Sequence, residues 1–409
     1  MPKSTFFTGQ PVFNQLLSYI SRSTVNSLVK KYKADHYCKK FKAYDHLVTM
    51  LFCCFHHCTS LRELITGLQA NAHRLHHLGM KYTPRRSTLA DANERRSPDF
   101  FQDLYHKLFK HHFGVLPDSL PKSRISDRIF IVDSTTITLF SDVFKACGNA
   151  NANGKKKGGV KAHVLIRAKD DMPHFVHITE AAANDKTVMP QLSLPKGSIL
   201  VMDKGYNSYL PMAEWTKQGV TWVTRLNKRA RWECVGERQV DEKMAAQGVR
   251  ADRDILLGNP EKAKKVPLQP ARLITYYDQE TGKEFEFLTN NKEFAPLTIA
   301  GVYKRRWQIE ILFKRIKQNF QLNNFLGDNQ NAIKIQLWCT LIADLLVKIV
   351  KDKADKQRKI KWSFANVTGL IRQHLGTYID LIKFLVNPEK AIIRYRQDMQ
   401  NPQLLLFKT

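Results

Sequence analysis

The sequence predicts an α/β core interrupted by a mostly β insertion, with a helical N-terminal domain before it and a helical C-terminal region after it. Three observations predict this. Residues 128 to 226 alternate short runs rich in β-branched residues with loops and helical segments. Residues from about 228 to 290 leave that alternation and contain a hairpin pattern. Residues 1 to 120, and those from about 296 onward, carry helix signals.

In the first part, "YDHLVTMLFCCFHHC" (44 to 58) is an apolar helical run that stops at Thr59. It restarts through Ser60 and Glu63, a capping-box spacing, so the pair resembles a helix-turn-helix. A later helix opens with Ser97 as N-cap, Pro98 in the first turn and Asp99 at the positive helix end. The linker "GVLPDSLPKS" then closes the segment, broken by Pro117 and Pro121.

Five strands follow. "RIFIVDSTTITLF" (128 to 140), "GGVKAHVLIRAKD" (158 to 170) and "HFVHITEAA" (174 to 182) have connections suited to an antiparallel meander. A short helix covers "NDKTVMPQL", a fourth strand runs through "GSILVMDKGY" (197 to 206), and "NSYLPMAEWTKQG" is helical. "VTWVTRL" (220 to 226) is the fifth strand. Helical crossovers make the later strands parallel. "ARLITYYDQETGKEFEFLTN" (271 to 290) reads as a hairpin turning at Asp278 to Gly282. This order is the layout of an RNase H-like α/β fold with an insertion before its last helix. The expected domains are a helical N-terminal DNA-binding domain (1–120), an RNase H-like domain (121–320, with the insertion at about 228–290) and a helical C-terminal region (321–409).

The composition narrows the partners. Hydrophobic residues make up 43% and charged residues 25%, which excludes a disordered chain. Lys and Arg total 65 against 37 Asp and Glu, and the resulting +28 repels itself unless a polyanion neutralises it. Nucleic acid is the partner this favours; a basic enzyme or ribosome-associated protein is the alternative that charge alone leaves open. The N-terminus lacks a compact apolar run with a cleavage site, so no signal peptide is expected. The most apolar helix (335 to 350) is short and carries Asp344 and Lys348, so no membrane span is expected either. With 7 cysteines in no framework spacing, a cytoplasmic protein fits, held at the nucleoid when bound to DNA.

Three acids then stand out. Within "VYKRRWQIEILFKRIKQ" (302 to 318), Glu310 is the single acid in a basic helix. At the helix period Tyr303, Arg306, Glu310 and Lys317 fall within an arc of about 60°, next to the apolar face. Alone, Glu310 reads as a salt-bridge partner of Arg306 or Lys314. Asp133 follows the continuous apolar run Ile129 to Val132, where a carboxylate is costly to bury. Asp203 ends the strand "ILVM", where open α/β sheets bind ligands. Three carboxylates from different elements of a basic fold suit Mg²⁺, a hard cation that keeps sites for phosphate oxygens. Two such ions serve in-line phosphoryl transfer, and Arg306 and Lys317 would hold phosphates beside them.

On these residues the chain resembles the DDE transposases of bacterial insertion sequences, specifically insertion sequence family four. The group's Tyr-x2-Arg-x3-Glu-x6-Lys signature is matched by Tyr303, Arg306, Glu310 and Lys317; its Asp-x-Gly-Tyr motif by Asp203 to Tyr206; its first Asp by "IVDSTTI". The resemblance covers roughly residues 128 to 350 and implies cleavage at transposon ends and strand transfer into target DNA. It implies catalytic and metal-binding roles for Asp133, Asp203 and Glu310, with two Mg²⁺ ions that Mn²⁺ replaces. It also implies terminal inverted repeats as the bound DNA ends, hairpin closure as in characterised members, and a homodimer in the synaptic complex. An aromatic of the insertion is expected to stack on a flipped base, and Trp232 is its one Trp; Trp222 reads as core. Two other classes stay open: an RNase H-like nuclease or resolvase without strand transfer, and a repurposed non-catalytic DNA-binding protein.

Further DNA contacts are expected from the Gly/Lys-rich loop "GNANANGKKKGGVK" (148 to 161), with Lys161 and His163 as a Lys-x-His beside the first acid, and from Arg225 at the end of the fifth strand. "CCFHHC" lacks zinc-ligand spacing and reads as structural helix. A helix starting near Ser87, flanked by Arg85, Arg86, Arg95 and Arg96, would read the inverted repeat.

Overall fold

A computed structural model describes residues 9–114, 124–138, 159–262, 268–320, 325–327 and 329–390. The linker 115–123 and most of the Gly/Lys-rich loop (148 to 158) lie outside the described residues. The chain divides into two compact units: residues 115–314, and residues 1–114 together with 315–409. The two helical segments that the sequence reading treats as separate domains therefore share a unit.

The helical unit begins with α1 (Val12–Leu17), α2 (Arg22–Tyr32), α3 (Ala43–His56), α4 (Leu61–Ala70), α5 (Arg86–Arg95) and α6 (Pro98–Phe113). The expected caps form. Ser60 accepts from the Glu63 amide at 3.2 Å, while the Glu63 carboxylate takes the Thr59 amide at 2.7 Å, so the return bond reaches one residue further back than a capping box requires. Ser97 caps α6 through the Asp99 amide.

The second unit starts with α7 (Ile125–Arg128) and carries β1 (Ile129–Thr138), β2 (Gly159–Arg167), β3 (Met172–Glu180), β4 (Ile199–Met202), α8 (Tyr209–Lys217) and β5 (Thr221–Arg225). Then come β6 (Trp232–Glu237), α9 (Glu242–Ala246), β7 (Val249–Leu257), β8 (Gln269–Asp278), β9 (Lys283–Thr289), α10 (Pro296–Lys304) and α11 (Trp307–Phe320), whose residues from Arg315 onward belong to the helical unit. The nine strands form one mixed sheet in the order β3-β2-β1-β4-β5-β9-β8-β7-β6. β1, β2 and β3 pair antiparallel, and β4 and β5 run parallel to β1. The apolar runs in β1 and β4 follow from their central place, where both faces are covered. Phe130, Val132, Leu200, Met202, Met212, Trp215 and Trp222 meet in one core on the α8 side. Trp222 is fully buried there, as expected, and its indole N–H donates to Thr216.

The stretch between β5 and α10 extends the sheet instead of forming a separate one. β9 joins the edge of β5 in antiparallel register, and the β8–β9 turn closes at Gly282, whose amide bonds Asp278. Gly282 has a φ of +67°, a conformation that suits glycine. β6 ends the sheet as a fully solvated strand with an irregular register and two glutamates, features that discourage edge pairing.

The helical unit resumes through α12 (Gln330–Asp355), α13 (Phe364–His374) and α14 (Leu381–Val386). α12 packs against α3 and α6, and its buried Asp344 is held by Arg315 at 2.9 Å. Among the described residues no helix is long and apolar enough to cross a membrane.

Candidate active site

Strand register places the first two acids. β1 and β4 run parallel with Val132 opposite Met202, so the next residues are level: Asp133 inside β1, and Asp203 just past the carboxyl end of β4. Asp133 accepts the Ser134 amide at 2.8 Å. Asp203 opens a short 3-10 turn and receives Arg225 Nη2 at 2.8 Å from the end of β5.

The third acid arrives from α11, in a geometry the helical stripe did not anticipate. The expected continuous helix breaks: α10 ends at Lys304 and α11 starts at Trp307. The Arg305 and Arg306 amides bond carbonyls three residues back, at Val302 and Tyr303, which tightens the chain into a turn. Arg306 is thereby aimed at two carboxylates. Its Nη1 donates to Asp133 at 2.9 Å and its Nη2 to Glu310. Tyr303 sits on α10 against Phe287, with the Arg225 guanidinium 5.8 Å from its ring centre. Lys317 follows Glu310 on α11 after about two turns.

The electrostatics separate the acids. Burial raises Asp133 to about 6; the charges of Asp203 and Glu310 push the same way, while the Ser134 amide and Arg306 offset part of the rise. Burial also opposes the Asp203 carboxylate, but Arg225 outweighs it and holds Asp203 below the usual range.

Behind this cluster lies a second one. Strand alternation puts Ser134 on the face opposite Asp133, in register with His163, and Lys161 shares that face. There Asp185, from the 3-10 segment Asp185–Gln191, accepts from Ser134 Oγ at 3.1 Å and pairs with Lys161 Nζ at 3.1 Å. His163 is fully buried between Tyr206 Oη at 3.1 Å and Thr179 Oγ1 at 3.0 Å. Burial lowers it to about 4, against the pull of Asp185. His163, expected as a neighbour of the active site and a DNA contact, has both ring nitrogens engaged in the interior.

A profile of the transposase DDE domain matches residues 124–346. The chain belongs to the DDE transposases. A Sinorhizobium fredii protein named as a transposase, y4zB, is 32% identical over 332 residues, covering 80% of this chain and 86% of its own. Transposase InsG of insertion sequence element IS4 from Escherichia coli is 26% identical over 195 residues, covering 44% and 42%. A cryo-EM structure of a piggyBac transposase synaptic complex with hairpin DNA superposes with a TM-score of 0.46 at 10% identity, over 95% of this chain and 83% of that one. Residues 8–81 match a domain of unknown function, DUF4372. This transposase is therefore an enzyme acting on DNA, of the bacterial insertion-sequence kind.

DDE domains depend on a divalent metal, and the donor set fits one. Asp133, Asp203 and Glu310 offer carboxylate oxygens, the ligands hard cations take. Beside them, Arg225 Nε and the Tyr303 hydroxyl are buried with no hydrogen-bond partner among the described residues, which suits an anionic substrate group. Among the described residues no three such side chains are already grouped to hold a metal ion, and Arg306 stands between Asp133 and Glu310.

Trp232 stands apart from this cluster. It opens β6, the last strand of the sheet, five places along from β4. Two residues near the acids escaped the sequence reading. Asp185 signalled only the start of a short helix. Trp307, 61% exposed, places its ring 5.9 Å from the Arg306 guanidinium. Its one sequence signal was an aromatic among the basic residues of the helix.

Proposed function

We propose that this transposase cleaves DNA at the ends of its own element and joins the freed 3′ ends to target DNA, using Asp133, Asp203 and Glu310 to hold two Mg²⁺ ions, with Mn²⁺ as a substitute. The observation that carries this reading is the parallel register that sets Asp133 beside Asp203, with Arg306 tying Asp133 to Glu310. The strand order, three antiparallel strands followed by two parallel ones, supports an RNase H-like core.

Bound there, the ions would supply charge for the attacking and leaving oxygens of an in-line displacement. The protein's own groups do the rest. Arg225 and Arg306 present guanidinium donors suited to phosphate oxygens. Tyr303 carries an unpaired hydroxyl toward the same region, and burial raises its pKa to about 12, so it stays protonated as a donor. Lys317 extends the basic track along α11. Trp307 offers an exposed ring for a base leaving the duplex. The partners are transposon-end DNA with terminal inverted repeats and target DNA, engaged by a homodimer that pairs two ends in the cytoplasm.

The test is an incubation of the purified transposase with Mg²⁺, labelled DNA carrying the element's ends, and a target plasmid. Cleavage at the ends followed by joining to the plasmid is expected. Cleavage without joining would favour a nuclease. Asp133→Asn, Asp203→Asn and Glu310→Gln should each lower cleavage by at least about a thousandfold while DNA binding persists. Full cleavage by Glu310→Gln would remove it from the metal set.

A further inference from the structure

A second concave surface lies in the helical unit, among residues the reaction does not use. Its cavity measures about 560 Å³ and is walled by the connection from α2 to α3 and by α5. Lys33, Lys39 and Lys40 line it and are exposed, and none of them makes an ion pair among the described residues. Asp91 is the one acidic side chain among the described lining residues. Tyr32, Tyr37 and Tyr82 complete the wall. Tyr82 lies 5.8 Å from Lys40 Nζ, and Tyr37 is 93% exposed with its ring 3.8 Å from that of His36.

The wall is rigid where it matters. Arg96, 6% exposed, donates to the carbonyls of Ala34 and Phe41 and so ties the connecting loop to the end of α5. Its remaining amine, Nη1, is buried in the wall with no partner among the described residues. The same guanidinium faces the Asp35 carboxylate at 4.0 Å, so Arg96 braces the wall while bringing positive charge to it. Lys33 and Tyr37 both adopt left-handed backbone conformations, with φ of +49° and +56°. Strain of this kind persists where the surrounding structure holds it. Arg96, one of the four arginines flanking the helix expected to read the inverted repeat, is the internal clamp of this cavity.

We propose that this cavity binds an unpaired nucleotide of the DNA substrate, with the base against Tyr37 and the phosphate beside Lys39, Lys40 and Arg96. An exposed aromatic ring next to unpaired cations is how single strands are held, because every base has a face to stack and every link carries a phosphate. The volume suits one or two nucleotides and not a duplex. The inference rests on DNA as the substrate and adds a strand-state preference to the helical unit.

Fluorescence anisotropy with the full-length transposase tests this, using fluorescein-labelled oligothymidylate and a labelled duplex of the element's end. Tyr37→Ala should bind oligothymidylate about tenfold more weakly, and Tyr37→Phe should restore wild-type affinity. Duplex binding should change little in either variant. Lys39→Ala combined with Lys40→Ala should flatten the salt dependence of oligothymidylate binding. Unchanged oligothymidylate affinity in Tyr37→Ala overturns the proposal, as does an equal loss on the duplex. Duplex binding by the wild-type protein, read in the same titrations, tests the wider DNA-binding reading separately.

Discussion

Arg306 Nη1 lies 2.9 Å from Asp133 Oδ2, and the same guanidinium also bonds Glu310. Two proposed metal ligands thus share one arginine of the same sequence motif. Arg306 and a cation compete for the same oxygens. Arg306→Gln should therefore bind Mn²⁺ about tenfold more tightly, since a hydrogen bond between charged groups is worth about 1.5–3 kcal/mol. The same variant should cleave more slowly for want of a phosphate contact. Calorimetric titration with Mn²⁺ alone reads the first effect; equal or weaker binding would show that Arg306 does not shield the acids.

Asp185 is predicted to act as a positioning residue. It holds Ser134, the neighbour of Asp133, and Lys161 from the far side of the sheet. Asp185→Asn should lower the cleavage rate about 10- to 100-fold, as outer-shell changes do at metal sites. Raising Mn²⁺ should recover part of the loss, which a merely unstable variant would not do. No recovery, together with a lower melting temperature, would make the role structural.

In the insertion, Arg272 and Asp252 form a two-pronged pair at 2.6 and 2.7 Å, each about 95% or more buried, and Arg272 also bonds the Phe294 carbonyl. Removing one partner strands the other charge. Asp252→Ala should cost about 3–5 kcal/mol in urea unfolding. A loss below about 1 kcal/mol would mean that water reaches the abandoned guanidinium.

His46 offers a stability test with pH. It is fully buried against Asn93 at 2.8 Å, and burial, with Arg96 adding to it, lowers its pKa to about 3. The unfolded value is about 6.5, so the unfolded chain takes the proton first. The stabilising contribution is complete above pH about 6.5 and is lost as pH falls toward about 3. Between pH 7 and pH 5 the loss should reach about 2 kcal/mol, and His46→Gln should remove that share. Identical pH profiles for wild type and variant would place a proton-accepting path to His46 in the folded state.

The sequence by itself determined a good deal. Apolar runs broken by turn residues located the strands from β1 to β5, the hairpin at Gly282 and the caps at Ser60 and Ser97, because those signals are local. It also singled out Asp133, since a carboxylate after an apolar run is costly to bury, and set Asp203 and Glu310 beside it through their motifs. Tertiary structure decided what local signals do not carry. Parallel pairing set Asp133 level with Asp203. Antiparallel addition of β9 to β5 made the insertion part of the sheet and put Trp232 on its last strand. The turn at Arg305 and Arg306 broke the expected stripe, with neither Gly nor Pro to announce it, and turned Arg306 onto residues 173 positions away. Helical periodicity assigns a residue to a face of its own element; only the pairing of distant segments assigns it a partner.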